Sequence, residues 1–303
     1  MSLGICCGRC MLCEFFFSGF IRYDNNLTFV GVFRPQEIST TVSEGDVTKL
    51  SNVVRMAHKY HYITTEAWAL GVLLGRFSNQ PVSSISTPIL VQITEVAVLC
   101  EDKPLLDAVR MRWKGLIGKR KDLAVAINVM GRLGIRDLEG LAYYGMLFEG
   151  RGRWDSDPGL TRDQRIRLLS GYYNITKASE TLTVTPPKFD HNPACDAEAD
   201  CEEAWQNFWK AITALDSGDE VGSSVVSQMV VHDKMDLMGR LMMAVSLVTA
   251  FEAESSTGAY KVYHPGVDFE FRWSECIGAA LSATMRMSKD TQQDLMSFFE
   301  DVV

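Results

Sequence analysis

A chain of 303 residues, 47% hydrophobic and 22% charged, has enough apolar surface for one or two cores and is not a disordered tract. Its net charge of −8 disfavours nucleic acid as a partner. The charge is unevenly spread, −2 over residues 1–102, +7 over 103–177 and −13 over 178–303, so the basic middle is expected to lie against the acidic tail or an acidic protein surface.

The first stretch carries Cys6, Cys7, Cys10 and Cys13. Their spacing touches that of an iron–sulfur loop, and adjacent cysteines near an N-terminus are palmitate acceptors. Against these readings, Cys6 beside Cys7 is a poor fourth thiolate, and Ser2 stands where myristate would need glycine. Free thiols are the reading expected. Arg9 and Glu14 interrupt the apolar run, which excludes a secretory signal peptide and predicts reduced cysteines in the cytoplasm or nucleus. The sequons at Asn26 and Asn174 are then chance matches. Residues 24–45, with Gly31, Pro35 and Gly45 around β-prone pieces from Leu27 to Phe33, predict a loop with a hairpin edge.

From Asp46 to Leu74 the pattern is an αα-hairpin. Leu50, Val53, Val54, Ala57 and Tyr60 recur at three- and four-residue steps, and Thr64 or Thr65 is placed to cap a second helix. Its expected buried face is Ala67, Trp68, Gly71, Leu74 and Phe77, with Trp68 largely buried. The Ser- and Pro-rich run after Phe77 predicts a subdomain boundary near residue 82.

Amphipathic helices follow, one after another. Ile89, Ile93, Val96, Ala97 and Cys100 form one stripe. Pro104 suits a first helical turn ahead of Leu106, Val109, Trp113 and Leu116, and Gly118 closes that helix. Leu123, Ala126, Ile127 and Met130 lead to Gly131 and Gly134; Ile135, Leu138, Leu141, Ala142 and Met146 lead to Gly150. The segment GRGRWDSDPG predicts a loop, and Thr161 with Gln164 predicts a capping box opening a helix into the 170s or early 180s. Pro186 and Pro187 end it.

Residues 188–200 lack periodicity and predict a loop. From Cys201 a stripe of Trp205, Phe208, Ile212 and Leu215 predicts a helix; others run through Val225 and Met229, and through Leu237, Leu241, Ala244, Val245, Val248 and Phe251. The eleven uncharged residues LMMAVSLVTAF are too few to span a bilayer. Met229, Met235, Met238, Met242 and Met243 predict core filler. A small β-hairpin is expected near 260–273, then helices through Ile277, Ala280, Leu281, Thr284 and Met285 and through Leu295, Phe298 and Phe299.

The runs LSNVVRMAHKYHYITTEAWALGVL, ITEVAVLCEDKPLLDAVRMRWKGLI and LGIRDLEGLAYYGMLF look like the second half of fungal BTB/POZ-like proteins of the basidiomycete type. LTRDQRIRLLSGYYNI, TPPKF, Cys195, Cys201, Trp205 and Trp209 are similar to the tail of the same proteins. The resemblance implies a non-enzymatic protein–protein interaction protein, an adaptor whose relatives dimerise and in some cases recruit cullin-type ubiquitin ligases. It also implies that Phe15, Phe16, Phe17 and Phe20 form an apolar helix, for which core packing against residues 50–74 is expected ahead of a partner-binding groove. One departure stands: the strands, histidine-containing turn and first helix that open a complete BTB module do not fit in the first 46 residues. The expected organisation is therefore mainly α: a divergent BTB-like part over 1–80, a helical region over 81–185 and a C-terminal helical region over 186–303, joined as an antiparallel helical array.

Few residues of the chain point to chemistry. Residues 115–119 give only the end of a Walker motif, and nucleophile elbow, kinase and zinc-protease signatures are missing. His58 and His61 lie three apart and could share a helical face, but such a pair is more often structural. Glu202 and Glu203 suit a helix N-terminus better than acid catalysis. His191, Cys195 and Cys201, with Glu198 or Asp200 as fourth ligand, fall short of the paired spacing of structural zinc. The expectation is thus a protein partner or a second copy of the chain, without enzyme activity, cofactor, catalytic residue, bound metal, nucleic acid or membrane span. The competing reading is a metal protein or enzyme built on the N-terminal cysteines or on the loop from His191 to Cys201.

Overall fold

The computed structural model describes residues 19–23, 26–30, 44–79, 85–193, 195, 198–213, 235–256 and 276–300. The four N-terminal cysteines, Phe15 to Phe17, the helix expected through Val225 and Met229, and the hairpin expected at 260–273 lie outside them. Among the described residues the chain is mainly α. A short antiparallel ladder pairs β1 (Gly19–Tyr23) with β2 (Asn26–Val30), so Phe20 falls in a strand and not in the apolar helix that the resemblance implied.

Local signals account for most helix ends. In α1 (Glu44–Lys59) Val47, Leu50, Val54 and Ala57 are buried, as a three- and four-residue stripe requires. The chain then turns through His61 at φ 58, with the Tyr62 N–H donating to Ala57 O at 2.8 Å. Helix α2 (Ile63–Asn79) follows at once: Glu66 N–H already donates to Tyr62 O, so Tyr62 is the cap position and Thr64 and Thr65 are inside the helix. The face of α2 also differs from expectation. Ala69, Leu70, Leu73 and Phe77 are buried, Trp68 is half-buried, and Ala67 and Gly71 are exposed. The run ALGVLL is apolar all round, so periodicity could not choose which side turns inward.

Pro88 and Pro104 sit in the first turns of α3 (Thr87–Leu99) and α4 (Lys103–Gly118), where the missing N–H costs nothing, and Asp102 caps α4 by accepting from Leu105 N at 2.8 Å. Trp113, fully buried in α4, donates its indole N–H to Thr94 Oγ1 at 2.9 Å. Gly134, at φ 70, ends α5 (Leu123–Leu133) in the left-handed conformation a C-cap takes most easily with glycine. Next come α6 (Arg136–Leu147) and a short α7 (Arg151–Ser156) in place of the expected loop, because Trp154 is buried with its indole N–H on Met146 O. Thr161 and Gln164 make both bonds of the capping box that opens α8 (Arg162–Leu182).

The tail contributes α9 (Glu198–Thr213), α10 (Leu237–Ser256), α11 (Ile277–Gln293) and α12 (Ser297–Glu300). Cys201, Trp205 and Trp209 give α9 its buried stripe. Of the tail methionines, Met238 is buried while Met242 is exposed. Helices α1 to α4 pack as neighbours, α6 lies against α5, α8 and α12, and α10 lies between α9 and α11. Buried side chains from Val47 to Phe299 belong to one contiguous cluster.

The basic middle meets the acidic tail mainly through apolar surface. Phe299 is fully buried, with its ring stacked on Tyr143 at 5.1 Å between centroids. Among the described residues Arg136 joins the two regions at the surface, gripping Glu300 through two bonds of 2.5 and 2.6 Å, which holds the Glu300 carboxyl below its ordinary range. A pair this exposed orients more than it stabilises. Arg110 and Arg120 pair within the middle, with Asp137 and Glu149.

Candidate functional site

The turn between α1 and α2 presents three large apolar side chains to solvent, Tyr60, Tyr62 and Ile63, the last 78% exposed. Ile63 begins a line along α2 in which Ala67, Gly71 and Gly75 recur every four residues, all exposed. Four-residue steps keep these positions on one ridge. The ridge borders a pocket of about 310 Å³ reaching Leu74 and Asp102. A β-carbon at Gly71 or Gly75 would meet nothing within 4 Å, so no described residue requires glycine at either place. Each glycine costs a helix interior about 1 kcal/mol relative to alanine. Gly71 and Gly75 both therefore weaken α2 as an isolated helix.

Behind this face His58 Nδ1 stands 3.2 Å from Glu66 Oε1, and Cys100 also hydrogen-bonds Glu66. Burial first, and Glu66 second, push the Cys100 thiol up to about 12, which leaves it protonated and unreactive. His58 and His61 do not share a helical face, because α1 ends at Lys59 and His61 takes the left-handed turn.

A second cluster forms where the tail helices meet. His191 and Cys195 come from the loop after Pro187, Cys201 from the first turns of α9, and Cys276 from the cap position of α11. Cys195 Sγ is 3.5 Å from Cys201 Sγ, Cys276 Sγ is 3.7 Å from His191 Nδ1, and all four donor atoms lie within 4.8 Å of one another. The cysteines are free thiols, with Cys201 and Cys276 buried. Burial and the neighbouring sulfurs push Cys201 up to about 12; burial raises Cys276, partly opposed by the Asn192 backbone N–H donating to its sulfur. The fourth group is neither Glu198 nor Asp200, both exposed in the first turn of α9, but Cys276, far along the chain. Glu202 and Glu203 are likewise exposed on α9 and do not face each other across a cleft.

Arg240 was not singled out in the sequence, yet it ties the tail together. It is 5% exposed and donates to Ser179 O at 2.9 Å, to Ser179 Oγ, and to Thr213 O at 2.6 Å. Those carbonyls belong to the last turns of α8 and α9, where the helix dipole favours a cation. A lone arginine within an otherwise uncharged helical run was the available signal.

No family model matches the chain, and no curated protein or solved structure matches it either. No described helix is long and apolar enough to cross a membrane.

Proposed function

We propose that this chain is a non-enzymatic protein-interaction protein, an adaptor of the BTB-like type, that receives an apolar helix of a partner protein on the exposed ridge of α2. The observation that supports this reading most is the pair of glycines that no described residue requires: with Ala67 they form a line of small residues that continues from Ile63, beside exposed Tyr60 and Tyr62. Small residues at four-residue spacing let a second helix backbone come close, and flanking aromatics supply anchor area at low entropy cost. The partner is a second copy of the chain or another protein, in a cytoplasmic or nuclear setting.

The test is affinity capture from the source organism with the full chain and with Gly71→Arg, both shown by thermal melting to be folded. Arginine at an exposed helix position leaves the fold intact but fills the ridge. The reading expects one or more stoichiometric proteins, or the second copy by light scattering, to be lost with Gly71→Arg. An unchanged set of captured proteins and an unchanged mass would overturn it.

A further inference from the structure

The cluster at the tail has the donor set and the dimensions of a closed tetrahedral metal site. With Zn–S near 2.3 Å and Zn–N near 2.0–2.1 Å, tetrahedral geometry places sulfurs about 3.8 Å apart and sulfur about 3.6 Å from nitrogen. Two of the approaches here, 3.5 Å between Cys195 and Cys201 and 3.7 Å between Cys276 and His191, fall near those edges, and every donor atom lies within 4.8 Å of the others. We propose that His191, Cys195, Cys201 and Cys276 bind one zinc ion, which pins the loop after Pro187 and the start of α9 to the start of α11.

The surroundings carry the features such a site needs. Cys276 stands at the N-terminus of the seventeen-residue α11, where the helix dipole supports a thiolate, and accepts a hydrogen bond from the Asn192 backbone N–H. His191 turns Nδ1 toward Cys276, while its Nε2 lies 3.9 Å from Glu202 Oε1, so a carboxylate stands on the side away from the metal. The Phe189 ring packs on the His191 ring at 4.8 Å, and Trp205 lies edge-on to Phe189, giving the site an apolar wall. Three thiols and an imidazole match zinc's preference, whereas an iron–sulfur cluster would want a fourth thiolate. The ligand set fills all four positions, which assigns the ion a structural role. Binding replaces the thiol protons with metal bonds, and the displaced protons go to solvent. The inference is independent of the α2 ridge.

The experiment is elemental analysis and zinc X-ray absorption on the purified full chain. About one zinc per chain is expected, with a first shell of three sulfurs near 2.3 Å and one nitrogen. Cys276→Ser is expected to reduce the zinc to a trace, and replacing Cys6, Cys7, Cys10 and Cys13 together with Ser to leave it unchanged. If Cys276→Ser does not fold, the variant lacking the four N-terminal thiols still decides, because a site on those cysteines would lose its zinc there and the proposed site would not. Metal-free protein after growth with zinc, a four-sulfur shell, zinc retained in folded Cys276→Ser, or a Cys195–Cys201 disulfide in the protein as isolated would each overturn the proposal.

Discussion

The ring of Phe299 lies so close over Gly171 that a β-carbon there would stand 2.2 Å from its Cδ1 and Cε1. Glycine at this point in α8 is therefore a packing requirement, in contrast to Gly71 and Gly75 on α2. Gly171→Ala gains helix propensity of about 1 kcal/mol but must displace a buried ring already stacked on Tyr143, and overpacking of that kind costs about 1–3 kcal/mol. Urea melts are expected to show a net loss of stability. In the Phe299→Ala background the same substitution should cost less or become favourable, a non-additivity that additive melts would refute.

The two tryptophans of the first half separate a core position from an edge. Trp113 is fully buried with its indole N–H on Thr94, so Trp113→Ala is expected to cost about 3–5 kcal/mol and to leave Thr94 without its donor. Trp68 is half-buried, and Trp68→Ala should cost clearly less. Equal losses in the two melts would place Trp68 in the core after all.

Arg240 should behave as a clamp. Hydrogen bonds from a charged donor are worth about 1.5–3 kcal/mol, so Arg240→Ala is expected to lower stability by about 2–3 kcal/mol. Arg240→Lys should recover only part of this, because a single ammonium cannot fork to the Ser179 and Thr213 carbonyls as a guanidinium does. Full recovery by lysine would show that charge alone matters there.

Glu139 gives a pH signature. Burial raises its carboxyl, only partly opposed by Arg167 at 3.7 Å. A folded-state pKa above the unfolded one means that ionised Glu139 weakens the fold, and the penalty disappears once pH falls below the unfolded carboxylate value. Glu139→Gln is therefore expected to raise the melting temperature near neutral pH, with the gain closing in acid. A gain that grew as pH fell would reverse the sign of this argument.

What could be read from the sequence was what local chemistry decides. The capping box of Thr161 and Gln164, Pro104 in a first turn and Gly134 as a C-cap all rest on residues within four positions of each other. The stripes of α1 and α5 had polar faces to contrast with their apolar ones, whereas in α9 the expected Phe208 and Ile212 are only half-buried and Trp209 lies in the core. α2 lacks that contrast, so its buried side was misjudged by roughly a third of a turn. α7 hid behind two glycines and an Asp-Pro step, although Trp154 is the residue that anchors it. The cluster at the tail was half visible: His191, Cys195 and Cys201 stand together in the chain, but Cys276 joins them only through the packing of α9, α10 and α11. Arg240 and its two carbonyls are long-range in the same way.

The most direct test of the interaction account sets stability against binding in one protein. Gly71→Ala combined with Gly75→Ala removes two helix-weakening residues without touching any described neighbour, so the melting temperature should rise. The same two methyls stand on the ridge where a partner helix would lie. Measured by titration calorimetry against the captured protein, or by light scattering for a second copy, the account predicts affinity weakened about tenfold or more, roughly 1.4 kcal/mol. Affinity unchanged in the stabilised variant would contradict it.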